Sequence, residues 1–132
     1  MAGKILIADE AVSDRMNMEN RRSDYTTVTA CDGPQAVQAR ADDDTIDLLI
    51  LSLNLPNEAA FEILRALKLD PNHKKLRTLI LTDPNENDDG IRTLQLGAVD
   101  FIRKPIQSNV LKAKVKFQFS LLEVQRALAE QH

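Results

Sequence analysis

Five short apolar runs, each followed by a stretch of mixed polarity, punctuate this chain and leave few folds open to it. The runs are Lys4–Ala8, Thr26–Ala30, Ile46–Leu51, Thr78–Leu81 and Phe101–Arg103. Leu48 to Leu51 is apolar without interruption, so both faces of that strand must be covered. Strands of this kind alternating with amphipathic helices call for an α/β fold, a parallel sheet with helices on both faces. The expected architecture is a doubly wound five-stranded parallel sheet in the order 2-1-3-4-5. In such a sheet the ligand crevice opens at the carboxyl ends of the first and third strands, where the winding direction reverses. Asp9, Glu10 and Ser52 fall there.

The intervening segments carry helix signals. Ser13 or Asp14 caps a first helix to about Arg22, whose apolar face is thin, with Val12, Met16 and Met18 to bury. Asp32-Gly33 turns into a second helix that has Pro34 at its first position and runs to about Ala41, and Asp42-Asp43-Asp44 reads as a solvated connection. The third helix, Glu58 to Leu69, places Phe61, Leu64 and Leu67 at three-residue steps and stops at Asp70-Pro71-Asn72. A fourth runs from about Glu86 to Gly97, a natural left-handed end. Gly90 inside it lowers its stability by roughly 1 kcal/mol relative to alanine.

The last helix starts near Ser108 and meets no stop signal before His132. Leu111, Val115 and Leu122 form a stripe for packing on the sheet, while Phe117, Leu121, Val124 and Leu128 recur at the steps of a coiled-coil seam. That second stripe admits two readings: an overlong surface helix, or a linker to a second subunit or an effector domain. Residues 1–122 are therefore expected to form one domain and residues 123–132 an extension of its last helix.

The bulk numbers exclude several classes. A length of 132 residues is one domain's worth, and 43% hydrophobic with 28% charged residues argues against disorder. A net charge of -3 disfavours a nucleic-acid or acidic-lipid surface. Four consecutive apolar residues are far too few for a membrane span, and strand-like Ile5-Leu6-Ile7 replaces any signal segment. Cys31 is alone, which rules out an internal disulfide and fits a reducing cytoplasm. The expected location is cytoplasmic.

Four of the strand-like runs end at residues able to bind phosphate or metal: Asp9-Glu10, Ser52, Thr82 and Lys104-Pro105. Acidic pair, central residue, hydroxyl and lysine, in that order, resemble the receiver domain of two-component response regulators (CheY-like, with a flavodoxin-like fold). The resemblance spans residues 4 to about 122. Its most specific stretch is Gly97-Ala98-Val99-Asp100-Phe101-Ile102-Arg103-Lys104-Pro105, similar to the receiver signature G-A-x-D-[FY]-[IL]-x-K-P. By that resemblance Asp9, Glu10 and the backbone carbonyl of Asn54 would hold Mg²⁺. Thr82 and Lys104 would meet the phosphoryl group, Pro105 would aim the lysine, and Phe101 would be the switch aromatic.

The departures matter as much. The family's acceptor aspartate is Ser52 here, within Asp47-Leu48-Leu49-Ile50-Leu51-Ser52-Leu53-Asn54-Leu55-Pro56. Serine cannot form an acyl phosphate, and an unassisted hydroxyl is a poor nucleophile near neutral pH. The lost carboxylate also weakens Mg²⁺ binding, so no cofactor is expected to be required. Asp83 stands where a small residue usually leaves room for the phosphoryl group. The loop glycines of P-G-M-D-G become Asn57 and Ala60.

The implied function is a degenerate receiver, not an enzyme, that signals by contact with protein partners. Contact would be self-association through the fourth helix, fifth strand and fifth helix, about Glu86 to Leu128, or a fused effector domain. Similarity to receivers fused to diguanylate cyclases, at Asp32-Gly33-Pro34 and Lys104-Pro105-Ile106, names one such effector. The alternatives are a receiver that still takes phosphate on another acceptor, and a flavodoxin-like small-molecule binder, which would lack its glycine-rich phosphate loop.

Elsewhere the ordinary readings hold. A buried Lys104 needs a partner, and Asp9 is the expected one. Phe101 reads as a core or edge aromatic and Cys31 as a small buried hydrophobe. His73 reads as a surface residue, and Lys112, Lys114 and Lys116 as the wet face of a helix.

Overall fold

The computed structural model describes residues 3–11, 14, 15, 18, 25–69, 76–83 and 87–130. Five strands form one parallel sheet: β1 (Lys4–Ala8), β2 (Thr26–Ala30), β3 (Leu48–Ser52), β4 (Arg77–Thr82) and β5 (Asp100–Arg103). Their order is β2-β1-β3-β4-β5, as expected. The apolar runs explain which strands are central. All five residues of β3 are buried, whereas edge strand β2 exposes Thr26 and Thr29 and edge strand β5 buries only Ile102. Register follows the ladder Ile7↔Ile50, Ile50↔Leu79 and Leu79↔Asp100, which aligns the carboxyl ends of β1, β3 and β4.

Four helices are described from end to end: α1 (Gly33–Asp42), α2 (Ala59–Leu69), α3 (Asn87–Gln95) and α4 (Ser108–Glu130). They correspond to the second to fifth expected helices. Of the first, Asp14, Arg15 and Met18 are helical and Met18 is buried, while Val12, Ser13 and Met16 lie outside the described residues. So does His73.

The period-two geometry of a strand sorts the core into two layers. Leu6, Leu49, Leu51 and Ile80 face α1 and α2, packing on Ala36, Ala60, Phe61 and Leu64. Ile5, Ile7, Leu48, Ile50, Leu79 and Leu81 face the other side, where Met18 and the α4 residues Leu111 and Val115 cover them. Phe101 is half-buried against the first layer, in keeping with a core or edge aromatic. Arg92 of α3 lies 4.4 Å above the Phe61 ring, a cation–π contact tying α3 to α2. On α4, Phe119 stacks on Tyr25 at 4.5 Å.

Local chemistry sets the helix ends. Asp32 caps α1 by accepting a hydrogen bond from Gln35 N, and Pro34 occupies the first turn. Gly97 takes φ 108° just beyond α3, the conformation glycine supplies without strain. The helix expected from Glu58 instead begins at Ala59, behind a 3₁₀ turn over Pro56–Glu58. Asn57 (φ 61°) and Glu58 (φ 55°) are left-handed there. The sequence placed the strain of lost glycines at positions 57 and 60. It appears at 57 and 58, while Ala60 is helical and fully buried.

Three side-chain expectations need correction. Cys31 is half-buried, because edge strand β2 leaves its far end partly uncovered. Asp43 is not simply solvated: Lys4 Nζ donates to its Oδ2 at 2.6 Å. Lys114 is not idle on a wet face, since it reaches Asp100 at 2.6 Å. Among the described residues, no helix is long and apolar enough to cross a membrane.

Candidate functional site

The aligned ends of β1, β3 and β4 deliver Asp9, Ser52 and Thr82 to one crevice, and the loop after β5 adds Lys104. All three strand-end residues are buried, Asp9 and Ser52 with no exposed surface at all. Lys104 Nζ donates to Asp9 Oδ1 at 3.2 Å. Asp9 Oδ2 is equally distant from the ammonium but outside hydrogen-bond geometry, so it is a buried oxygen without a hydrogen-bond partner. Asp9 Oδ1 also accepts from Ala11 N at 3.0 Å.

Two residues that the sequence did not assign to the site complete it. Asp14 Oδ2 lies 3.1 Å from Lys104 Nζ, so the ammonium bridges two carboxylates. Arg15 Nη1 donates to the Asp9 carbonyl at 2.7 Å. The sequence offers Asp14 as a helix cap. Its place in the first turn after the acidic pair was the available signal, because that turn overhangs the end of β1.

Burial pushes the Asp9 carboxyl up from its ordinary value. The Ala11 N–H and the Lys104 charge act in the opposite direction without cancelling the effect. Desolvation by itself would depress Lys104, but Asp9 and Asp14 outweigh it and hold the ammonium above the usual lysine range. Burial thus works against the charged form of both partners, and only at Lys104 do the neighbouring carboxylates outweigh it.

Around Ser52 the loop closes on itself. Ser52 Oγ accepts from Asn54 N at 3.1 Å, a local serine turn. Among the described residues, no acid or base hydrogen-bonds to Ser52, so nothing there activates it as a nucleophile. The Asn54 side chain donates from Nδ2 to Asp83 Oδ2 at 2.6 Å, linking the β3 and β4 loops. Thr82 accepts from Lys104 N at 2.7 Å through its carbonyl, and the Lys104–Pro105 peptide is cis. Pro105 itself is exposed.

A Mg²⁺ ion requires several hard oxygen donors in near-octahedral geometry. The buried, unpartnered Asp9 Oδ2 and Glu10 Oε2 are donors of that kind. The set falls one carboxylate short at Ser52, however, and the Lys104 ammonium already sits 3.2 Å from the Asp9 carboxylate. Among the described residues, no group of three or more His, Cys, Asp or Glu side chains is arranged to hold a metal ion.

Response regulator PleD of Caulobacter vibrioides is 32% identical over 118 residues, covering 88% of this chain and 26% of that protein. The alkaline phosphatase synthesis transcriptional regulatory protein PhoP of Bacillus subtilis is 32% identical over 120 residues, covering 88% of this chain and 48% of its own length. The chain thus spans between a quarter and a half of these relatives. In three dimensions it is similar to the signal receiver domain of a LuxO repressor protein from Vibrio parahaemolyticus. That match has a TM-score of 0.85 at 22% identity and covers 97% of this chain and 98% of that one. Residues 5–116 match the response regulator receiver domain, and the chain belongs to that family.

Proposed function

We propose that this receiver passes signals by protein contact and not through phosphorylation at position 52. The observation that carries this reading is the occupied crevice. A buried serine stands at the end of β3 with its hydroxyl turned to its own loop, and Asp83 is bonded across to Asn54 where a small residue would leave room. An incoming phosphoryl group would meet a second negative charge there and no carboxylate to accept it. By the same argument Mg²⁺ binding is weakened, and the module works without a required cofactor.

Incubation with Mg²⁺ and acetyl phosphate, followed by intact-mass measurement, tests this. The expected mass is unchanged, and beryllofluoride leaves the amide signals of Thr82 and Phe101 in place. A hydroxylamine-labile phosphate would overturn the reading.

The contact surface proposed is α3, β5 and α4. Ile91 and Leu94 on α3, Val99 before β5, and Phe117, Val124 and Leu128 on α4 are large apolar side chains left exposed. Exposed apolar side chains that join into one patch mark interaction surfaces. Beyond Leu122 every described residue of α4 is exposed, which supports reading residues 123–132 as an extension of the last helix, tied back to the domain only through Arg126 and Asp47 among the described residues. Self-association through this face is the first expectation, and a diguanylate cyclase output domain is the effector proposed by analogy. Light scattering across a concentration series should show a dimer that Phe117→Glu with Val124→Glu dissociates. A monomer at every concentration would remove self-association and leave contact with a different protein.

A further inference from the structure

On the face covered by α1 and α2, a cavity of about 560 Å³ opens between the two helices, a size typical of small-molecule sites. Its floor includes Leu6 and Leu49, and its walls include Ala36 and Arg40 of α1 with Ala66 and Leu67 of α2. Leu49 precedes Ser52 by three residues on β3, or about 10 Å of strand. The cavity therefore sits toward the amino ends of the strands, away from the Asp9–Lys104 crevice. Its opening has a packing cause. The two helices are drawn tight at their starts, where a Cβ on Gly33 would lie 2.6 Å from Ala59 Cβ. Farther along, the short side chains of Ala41 and Ala66 line the space without filling it.

One polar group in this apolar lining is unsatisfied. Arg40 Nε is buried and has no hydrogen-bond partner. A buried donor left unpaired is costly, and >90% of buried polar groups find partners. Asp44 also lines the cavity four residues on, yet the two side chains form no ion pair with each other.

We propose that this cavity binds a small monocarboxylic acid with an apolar body, its tail between the helices on Val37, Ala66 and Leu67 and its carboxylate on the Arg40 guanidinium. Arginine favours a carboxylate over a neutral acceptor because its planar fork matches two oxygens. Exposed Asp44 at the mouth disfavours a second negative charge on the ligand. The site is independent of how the Ser52 crevice is read.

Decanoate is the probe, titrated into the full chain by calorimetry and by amide NMR. Saturable one-site binding is expected, with decanol about ten-fold weaker or more. Arg40→Gln should weaken decanoate by about ten-fold or more, and Ala66→Phe, which fills the space, should abolish binding. Absence of saturation below about 1 mM, equal affinity for decanol, or undiminished binding by either folded variant would overturn the proposal. Should Ala66→Phe fail to fold, the wild-type spectrum decides: the Ala36 and Leu67 signals must move with decanoate, and unmoved signals refute the site.

Discussion

Removing the ammonium from the crevice should destabilise the protein far more than removing the charge it faces. In Lys104→Met, Asp9 keeps only the Ala11 N–H while fully buried. Breaking a buried pair from one side costs about 3–5 kcal/mol. In Asp9→Asn, Lys104 retains Asp14 at 3.1 Å and 11% exposure of its side chain, so water and a second carboxylate remain. The cost there is about 1–2 kcal/mol, that of a weakened hydrogen-bond set. The difference of about 2 kcal/mol corresponds to about 1 M in urea midpoint for a domain of this size.

The acid dependence of Lys104→Met supplies a second test. Without the ammonium, the folded-state pKa of Asp9 rises further above the unfolded value. Between the two values the folded state binds the proton and the unfolded state does not, so stability increases as pH falls. The deficit of Lys104→Met measured by urea denaturation should shrink as pH falls toward the ordinary carboxylate range. Equal losses in the two variants, or a deficit indifferent to pH, would show that Lys104 does not compensate Asp9 and would refute the reasoning.

Other expectations follow from the same structure. Gly33→Ala drives a Cβ to 2.6 Å from Ala59 Cβ and should cost about 1–3 kcal/mol, with Ala59→Gly restoring much of the loss in thermal melts. Lys4 and Thr45 hold Asp43 down at about 2. As pH falls from about 4 to about 2, the unfolded chain takes up a proton that the folded chain refuses, and stability drops. Asp43→Asn should flatten that part of the pH–stability profile. Ser52→Asp alone should not bind beryllofluoride with Mg²⁺, because Asp83 still holds Asn54 across the loop. Ser52→Asp with Asp83→Ala should bind it, as read by NMR shifts at Thr82. Binding by the single variant would show that Asp83 is no obstacle.

The sheet was legible because its signals are local and redundant. Leu48 to Leu51 reads as a buried strand from four residues alone, and the β-branched run at Thr26 as the second strand. The Asp9–Lys104 pair was legible for a topological reason, since both ends of the contact lie at strand ends of a fold with a fixed winding. What escaped were contacts decided by side-chain reach. Nothing in the spacing shows that Lys114 bends back to Asp100, and the position of Asp14 after the acidic pair hints at the crevice without showing that it shares Lys104. Left-handed Glu58 escaped as well, because its backbone is fixed by the turn it closes and not by its own preference. The cavity beside Arg40 is likewise a property of two helices at once.

Arg126 Nη2 donates to Asp47 Oδ1 at 2.6 Å, pinning the distal part of α4 to the foot of β3. Asp47 also accepts from Lys4 N through its side chain and from Arg77 N through its carbonyl, so this clasp touches three central strands together. Half of the Arg126 side chain is exposed, and a clasp of that kind contributes less than about 1 kcal/mol. Without it, the exposed turns of α4 beyond Leu122 would lose this side-chain tie to the sheet, and with it a link between that end of the helix and three strands at once.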